Sequence, residues 1–216
     1  MSVSRKLVIA IDGPAGAGKS TIAKLLAARL DLRYLDTGAM YRALALKASR
    51  KGIQGPEAAD LMHETQIAFG PGEPQRVLLD GEDVTSAIRT AEIGEAASAL
   101  SSHSAVRRAM VELQQAFVAE GGVVLEGRDT TTVVAPNADL KIYLTASLEE
   151  RAKRRTSERG DAEAFERTRA EIEQRDHRDI TRDDSPLSVA PDAHVVETAT
   201  LTVEEVLEKT LSLLPA

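Results

Sequence analysis

The sequence predicts an α/β fold, a parallel sheet flanked by helices, and two observations carry that prediction. Apolar runs bounded by turn residues recur at 7–11, 123–125 and 140–144, with long helical patterns between or after them. The first run leads into a glycine-rich segment and then an amphipathic, helix-forming stretch at 21–30, the order of strand, loop and helix in a βα unit. Shorter strand candidates stand at 33–35 and 194–196. The strand candidates are fringed by Asp, Gly or Thr at their carboxyl ends, the edge where open α/β sheets place ligands.

The loop after the first strand is the most informative segment. Gly13, Pro14, Ala15, Gly16, Ala17, Gly18, Lys19 and Ser20 fill the pattern GxxxxGK[ST]. Glycines let such a loop turn tightly enough for successive N–H groups to converge on phosphate oxygens, and the helix that begins near Lys19 adds the positive end of its dipole. Lys19 then supplies a cation for the outer phosphates, and the Ser20 hydroxyl can ligate Mg²⁺. A plain glycine-rich turn is the bland alternative. A dinucleotide fingerprint fits worse, because GxGxxG begun at Gly16 ends on Thr21, so a nucleoside triphosphate is the expected ligand.

Length and composition bound the rest. A chain of 216 residues with 43% hydrophobic content builds one good core, with room for a smaller inserted subdomain. The formal charge of -7 argues against a surface built for nucleic acid or anionic membrane, so any phosphate site is basic only locally. There is no cysteine, which excludes disulfides, thiol nucleophiles and thiolate metal sites and suits a cytoplasmic location. The four histidines, His63, His103, His177 and His194, have no metal-ligand spacing.

Further along, Asp36 and Thr37 follow the second strand candidate and open a helix carrying Arg42, a place for a cap or for an anion contact. Residues 52–90 break the alternation: Gly70-Pro71-Gly72-Glu73-Pro74 precedes an apolar run at 77–79, an Asp80-Gly81 turn and a second short run at 82–84, which reads as a hairpin within an insertion. Helical stretches follow at 92–100 and 105–120, the second stopped by Gly121-Gly122.

Glu126 stands at the tip of the 123–125 strand, with Arg128 and Asp129 just beyond it. A strand-end carboxylate helps hold hydrated Mg²⁺ in phosphate-loop enzymes, so Glu126 is the second metal candidate beside Ser20. Arg128 would clamp a phosphoryl oxygen, and Asp129 would accept hydrogen bonds from a base or another arginine. If 149–159 is helical, Arg151, Arg154, Arg155 and Arg159 fall on one side as a cationic stripe, and 151–161 suits a lid. Arg175, Asp179 and Arg182 share a face at i, i+4 and i+7. A solvated charge ladder is the bland reading of both stripes.

Taken in order, the loop 13–21, Asp36-Thr37-Gly38-Ala39-Met40-Tyr41-Arg42, Asp80-Gly81-Glu82-Asp83-Val84, Ile88-Arg89-Thr90, Val106-Arg107, Gly127-Arg128-Asp129, Arg175-Asp176-His177-Arg178-Asp179, Arg182 and Ser185-Pro186-Leu187 resemble the bacterial cytidylate kinases, the (d)CMP kinases among the nucleoside monophosphate kinases. The resemblance runs nearly the whole chain. It implies a P-loop NTPase core at about 1–50, 91–148 and 190–216, an inserted NMP-binding subdomain at about 52–90 and a helical lid at about 151–162, all within one kinase domain. The implied reaction is ATP + (d)CMP giving ADP + (d)CDP with Mg²⁺. Composition and charge add the expectation of a cytoplasmic protein that binds neither nucleic acid nor membrane, and a monomer is expected.

By that resemblance residues 13–21 would bind ATP, and Lys19, Arg128, Arg151 and Arg155 are expected to act in catalysis. Arg42 and Arg128 would hold the acceptor's phosphate, and Thr37, Ser98, Arg107, Asp129 and Arg182 would surround the cytosine. Arg175 and Asp179 would lie near its sugar and phosphates, with Asp179 on ribose hydroxyls. Two features depart from the family's pattern: Thr130-Thr131 replaces a hydrophobic residue and glycine, and Glu197-Thr198 replaces Asp-Thr. A β-branched residue at 131, where glycine is expected, predicts either a local rearrangement or a tighter pocket. The competing readings are another small P-loop kinase, of UMP or shikimate type, and a nucleotide-binding protein that is not a kinase.

Overall fold

The structure, a computed structural model, describes residues 6–72, 74–160 and 162–215. The chain divides into two compact units, one from residues 1–35 and 117–216 and one from residues 36–116.

The first unit is built on a five-stranded sheet in the order β2-β6-β1-β7-β8, where β1 is Val8–Asp12, β2 Arg33–Asp36, β6 Val123–Glu126, β7 Leu140–Thr145 and β8 His194–Glu197. β1 pairs in parallel with β6 and β7, and β7 with β8. All five residues of β1 are buried, which explains why that segment reads as a continuous apolar run and not as an alternation. Ile9, Ile11, Ile142 and Leu144 pack with Leu26 of α1 (Lys19–Arg29) and with Val206 and Leu207 of α7 (Val203–Leu211). The pairings set Ile11 opposite Glu126 and Asp12 opposite Tyr143, so the carboxyl ends of β1, β6 and β7 share the edge from which the phosphate loop leaves.

A second, smaller apolar cluster joins Ala15 of that loop to Ala152 on α5 (Leu148–Arg159) and Ile172 on α6 (Phe165–Thr181), with Leu148 and Phe165 packed against it. The amino-terminal part of the segment expected as a lid is therefore fastened to the phosphate loop. Asp161, also within the expected lid, lies outside the described residues, as do residues 1–5, Glu73 and Ala216.

The second unit holds α2 (Thr37–Lys51), a 3₁₀ stretch (Gly55–Glu64), a three-stranded antiparallel sheet and helices α3 (Ala91–Leu100) and α4 (Ser104–Ala119), the last running past its boundary. The sheet is β3 (Ile67–Gly70), β4 (Arg76–Leu79) and β5 (Glu82–Asp83). Asp80 and Gly81 both sit at positive φ, 51° and 86°, the conformation that a two-residue hairpin turn of this kind demands. The expected hairpin is thus present, but β3 was hidden in a short segment that runs into a Gly-Pro cluster. The unit is wider than the insertion expected at 52–90 because α2 packs on α3 and on the 3₁₀ stretch, drawing both flanking helices into one body.

Candidate active site

The phosphate loop connects β1 to α1, and its glycines meet specific needs. Gly13 has φ 148°, and a Cβ there would stand 2.1 Å from the Leu144 carbonyl oxygen of β7. Gly18, at φ 90°, delivers the chain into the first turn of α1. Lys19 is only 6% exposed, and its Nζ donates to the Pro14 carbonyl oxygen at 2.8 Å, folding the ammonium back over the loop.

Burial and the guanidinium groups of Arg128 and Arg175 push the Lys19 pKa down to about 7, against the support of Glu126 and Asp12. Two consequences follow from the sign. Between that value and the ordinary lysine value of 10.5 the unfolded chain holds the proton more firmly than the native one, so this group makes stability rise with pH over that window. A polyphosphate seated on the loop restores the charge, so at pH 8 nucleotide binding takes up close to one proton, about 0.9 per site. Calorimetry of ATP binding in buffers of differing ionisation enthalpy measures that uptake; binding without proton exchange would show that Lys19 is already charged.

Beyond β6 the chain places a compact lattice of opposite charges. Arg128 donates from Nε to Asp179 Oδ2 at 2.8 Å and from Nη1 to the Gly127 carbonyl at 3.1 Å. Arg182 lies with Nη1 3.6 Å from Asp179 and Nη2 3.7 Å from Asp129, while its Nε donates to the Ser185 carbonyl at 2.7 Å. Burial opposes charge on both partners of the first pair. The surrounding carboxylates nevertheless hold the Arg128 pKa above the usual range, and Arg128, Arg175 and Arg182 hold the Asp179 pKa below it. The four sequence-selected residues Arg128, Asp129, Asp179 and Arg182 are therefore brought together, and Arg128 and Arg175 lie within the electrostatic field of Lys19.

Between the phosphate loop and this lattice sits Asp12, the last residue of β1, fully buried. Its carboxylate accepts from Thr130 N at 2.9 Å and Thr130 Oγ1 at 2.7 Å, and from Thr131 N at 2.7 Å and Thr131 Oγ1 at 2.6 Å. Burial raises the Asp12 pKa, and these four bonds oppose the rise. Residues Thr130–Val134 form a single π turn, in which Ala135 N donates to Thr130 O at 2.8 Å. Thr131 is not among the residues at positive φ, so its side chain brings no backbone strain.

The arginines expected as a stripe on α5 divide among different tasks. The Arg151 side chain is buried: Nη1 donates to the Ala15 carbonyl at 2.8 Å and to Asp176 Oδ2, and Nε to the Ala146 carbonyl at 3.0 Å. Asp176 Oδ1 in turn accepts from Ala15 N at 2.9 Å, so the ion pair grips both polar groups of one phosphate-loop residue. Arg154 donates to Thr198 Oγ1 at 2.9 Å and to the Thr198 carbonyl. Arg155 is half-buried on the same helix, and the Arg159 side chain lies outside the described ones. A single cationic face toward a ligand is not what forms, because two of these guanidinium groups are already bound to loop carbonyls.

Glu126 is buried and accepts a hydrogen bond from the Tyr34 hydroxyl at 2.6 Å, while Ser20 is exposed in the first turn of α1. Among the described residues no group of three acidic or imidazole side chains could hold a metal by itself. A hydroxyl and a carboxylate are hard oxygen donors that fit Mg²⁺ when nucleotide phosphates and water complete its shell.

In the second unit Asp36 caps α2, accepting from Ala39 N at 2.8 Å with one oxygen and from Arg42 Nη2 at 2.7 Å with the other. Thr37 is buried in the first turn of that helix. Arg107 of α4 is 1% exposed, donates to the Ser101 carbonyl at 3.2 Å and lies 5.7 Å from the Tyr41 ring centre. Ser98 Oγ and Arg42 Nε are among the buried side-chain atoms with no hydrogen-bond partner among the described residues.

Asp12 and Tyr34 carried no expected role in the sequence, and Asp176, though part of the 175–179 motif, had none assigned. Asp12 carried one usable signal, a charged residue ending an otherwise apolar strand directly before the loop.

A profile of the cytidylate kinase family matches residues 9–216. A cytidylate kinase of Listeria welshimeri is 48% identical over 217 residues, covering 98% of this chain and 97% of that protein. One from Citrifermentans bemidjiense is 48% identical over 209 residues, with 94% and 90% covered. Among solved structures, an uncharacterized protein from Eubacterium ventriosum superposes with a TM-score of 0.55 at 11% identity over 96% of this chain and 97% of that one. A gluconokinase from Sinorhizobium meliloti gives 0.50 at 14% identity over 95% and 90%. At such low identity the structural matches speak for the fold alone, whereas the profile and the near full-length relatives place this chain in the cytidylate kinase family.

Proposed function

We propose that this chain transfers the γ-phosphoryl group of ATP to CMP or dCMP, giving ADP and CDP or dCDP. An oxygen of the acceptor's phosphate forms the new bond to phosphorus as the bond to the ADP oxygen breaks. That oxygen is already anionic, so no general base is required, and catalysis rests on positioning and charge neutralisation. The observation that carries the reading is electrostatic: the buried Lys19 side chain of the phosphate loop and the half-buried Arg128 guanidinium beyond β6, whose charge lowers the Lys19 pKa, stand at the same edge of the sheet. Cations held so closely at a ligand edge suit a polyanion that passes charge from one phosphate to another.

In this reading residues 13–21 bind the ATP phosphates, and Ser20 and Glu126 would hold Mg²⁺, which would supply neutralisation of phosphate charge. Lys19 and Arg128 stabilise charge on the transferred group. Asp129 and Arg182 read the cytosine edge, Asp179 takes the ribose hydroxyls, and Arg175 lies near the sugar and phosphates. In the second unit, Arg42 serves the acceptor's phosphate, and Thr37, Ser98 and Arg107 the base. Cytosine presents an amine where uracil presents a carbonyl, so a carboxylate such as Asp129 favours the first and is left facing a carbonyl by the second. Arg155 is assigned to the transferring phosphates, whereas Arg151, bound to Ala15, acts through the phosphate loop. The location proposed is the cytoplasm and the working state a monomer; no helix among the described residues is long and apolar enough to cross a membrane.

The test is an ADP-release assay across CMP, dCMP, UMP, AMP and shikimate. Turnover with CMP and dCMP at least about tenfold above the rest in kcat/KM is expected. Preference for UMP or shikimate would move the chain to one of the competing kinase readings, and no turnover with any acceptor would remove the kinase reading.

A further inference from the structure

We propose that Thr130 and Thr131, acting through Asp12, are positioning residues that set how strongly the enzyme prefers cytosine to uracil, an inference that rests on the CMP reading above. An ionised carboxylate offers about four acceptor sites, and Asp12 has one donor for each of them. Two of the donors are backbone N–H groups that nearly any sequence supplies. The other two are hydroxyls, which only these side chains bring.

What the clasp holds is the loop that carries Asp129. Thr130 follows Asp129 directly, and the Asp129 carbonyl accepts from Val133 N at 2.9 Å and Val134 N at 3.2 Å. The other end of the clasp is the last residue of a strand buried along its whole length, the most rigid anchor the unit offers. The base-reading carboxylate is thereby fixed to the central strand from one side and faces Arg182 Nη2 at 3.7 Å on the other. Discrimination between an amine and a carbonyl on a pyrimidine depends on a carboxylate held to within a fraction of an ångström, because the penalty for the wrong base exists only where the carboxylate cannot retreat. Removing the hydroxyls leaves two acceptor sites unmet in a fully buried place, and the loop shifts to relieve them.

Thr130→Val together with Thr131→Val keeps the branched shape and both N–H groups while deleting both hydroxyls. With this variant the KM for CMP is expected to rise about tenfold and the CMP to UMP ratio of kcat/KM to fall by about the same factor, with the KM for ATP within about twofold of the native value. Thr130→Ser with Thr131→Ser restores the donors and the native values. Amide exchange at residues 130–135, measured without substrate, is expected to quicken in the valine pair and not in the serine pair. Should the valine pair fail to fold, the single Thr130→Val and Thr131→Val variants, each leaving three of the four bonds, decide the question in the same assays. An unshifted CMP to UMP ratio, or KM values for ATP and CMP that rise together, would overturn this inference while native CMP turnover still stood. Absence of CMP turnover by the native chain would instead overturn the reading on which it rests.

Discussion

Replacing Arg128 by alanine is expected to lower kcat at saturating ATP and CMP by about 10³-fold, the scale seen when an arginine that neutralises a transferring phosphoryl group is lost. Arg128 is placed for such a part: its half-buried guanidinium is anchored by Asp179 at 2.8 Å and lowers the proton affinity of Lys19. Arg128 disfavours the charged form of Lys19 while no ligand lies between them, and negative charge growing there relieves that repulsion, in the transition state more than in the ground state. The KM for CMP should therefore rise by far less than kcat falls. Folding is buffered, because Asp179 keeps Arg182 at 3.6 Å and the charge of Arg175 when Arg128 is removed. Arg128→Lys should recover only part of the rate, since an ammonium keeps the charge but not the planar fork. A native kcat in the alanine variant would refute the role.

What could be read from the sequence was whatever a backbone requirement or a local period imposes. The phosphate loop was legible because its tight path admits glycine at fixed places, Gly13 most stringently, with the Leu144 carbonyl only 2.1 Å from where a Cβ would stand. The central sheet strands were legible because strands buried on both faces are apolar along their length, as β1 and β6 are up to the carboxylate that ends each. The Asp80-Gly81 turn was legible from the two positive φ angles it needs. Helical spacing also gave the arginines of α5, but a period says which residues share a side and not what lies opposite. In α5 the side bearing Arg151 packs against the phosphate loop, and so its guanidinium caps a carbonyl.

The residues that escaped share a different property. Asp12 is joined to Thr130 across a separation of 118 residues, Asp176 to Ala15 across 161, and Tyr34 to Glu126 across 92. Each is an ordinary polar residue within its own neighbourhood, and its task is created by the crossing of the chain at the carboxyl edge of the sheet. One sequence carries the local half of such a pair and leaves its distant partner unnamed. The Thr130-Thr131 departure shows the same limit. It could be flagged as a place where the loop must differ, yet the acceptor for its hydroxyls lay one strand away.

Asp176→Ala is expected to have the largest effect on stability, lowering Tm by about 10 °C, which corresponds to roughly 3–5 kcal/mol for breaking a buried pair by removing one partner in a chain of this size. Both members of the Arg151–Asp176 pair are buried, 7% exposed each. The variant leaves a guanidinium without its carboxylate and the Ala15 N–H without an acceptor. The cost is not a measure of how much the intact pair contributes. Replacing both partners, Arg151→Met with Asp176→Leu, removes the stranded charge and should return most of the lost Tm. ATP affinity should behave otherwise. The Ala15 N–H and carbonyl remain untethered in the double variant, so the phosphate loop stays loosened, and the KM for ATP should remain raised about tenfold in both variants while thermal stability separates them. Thermal melts and ATP titrations on the single and double variants measure the two effects independently. If ATP affinity recovered along with Tm in the double variant, the pair would be a fastening for α5 and α6 alone, and its hold on Ala15 would have no part in shaping the phosphate loop.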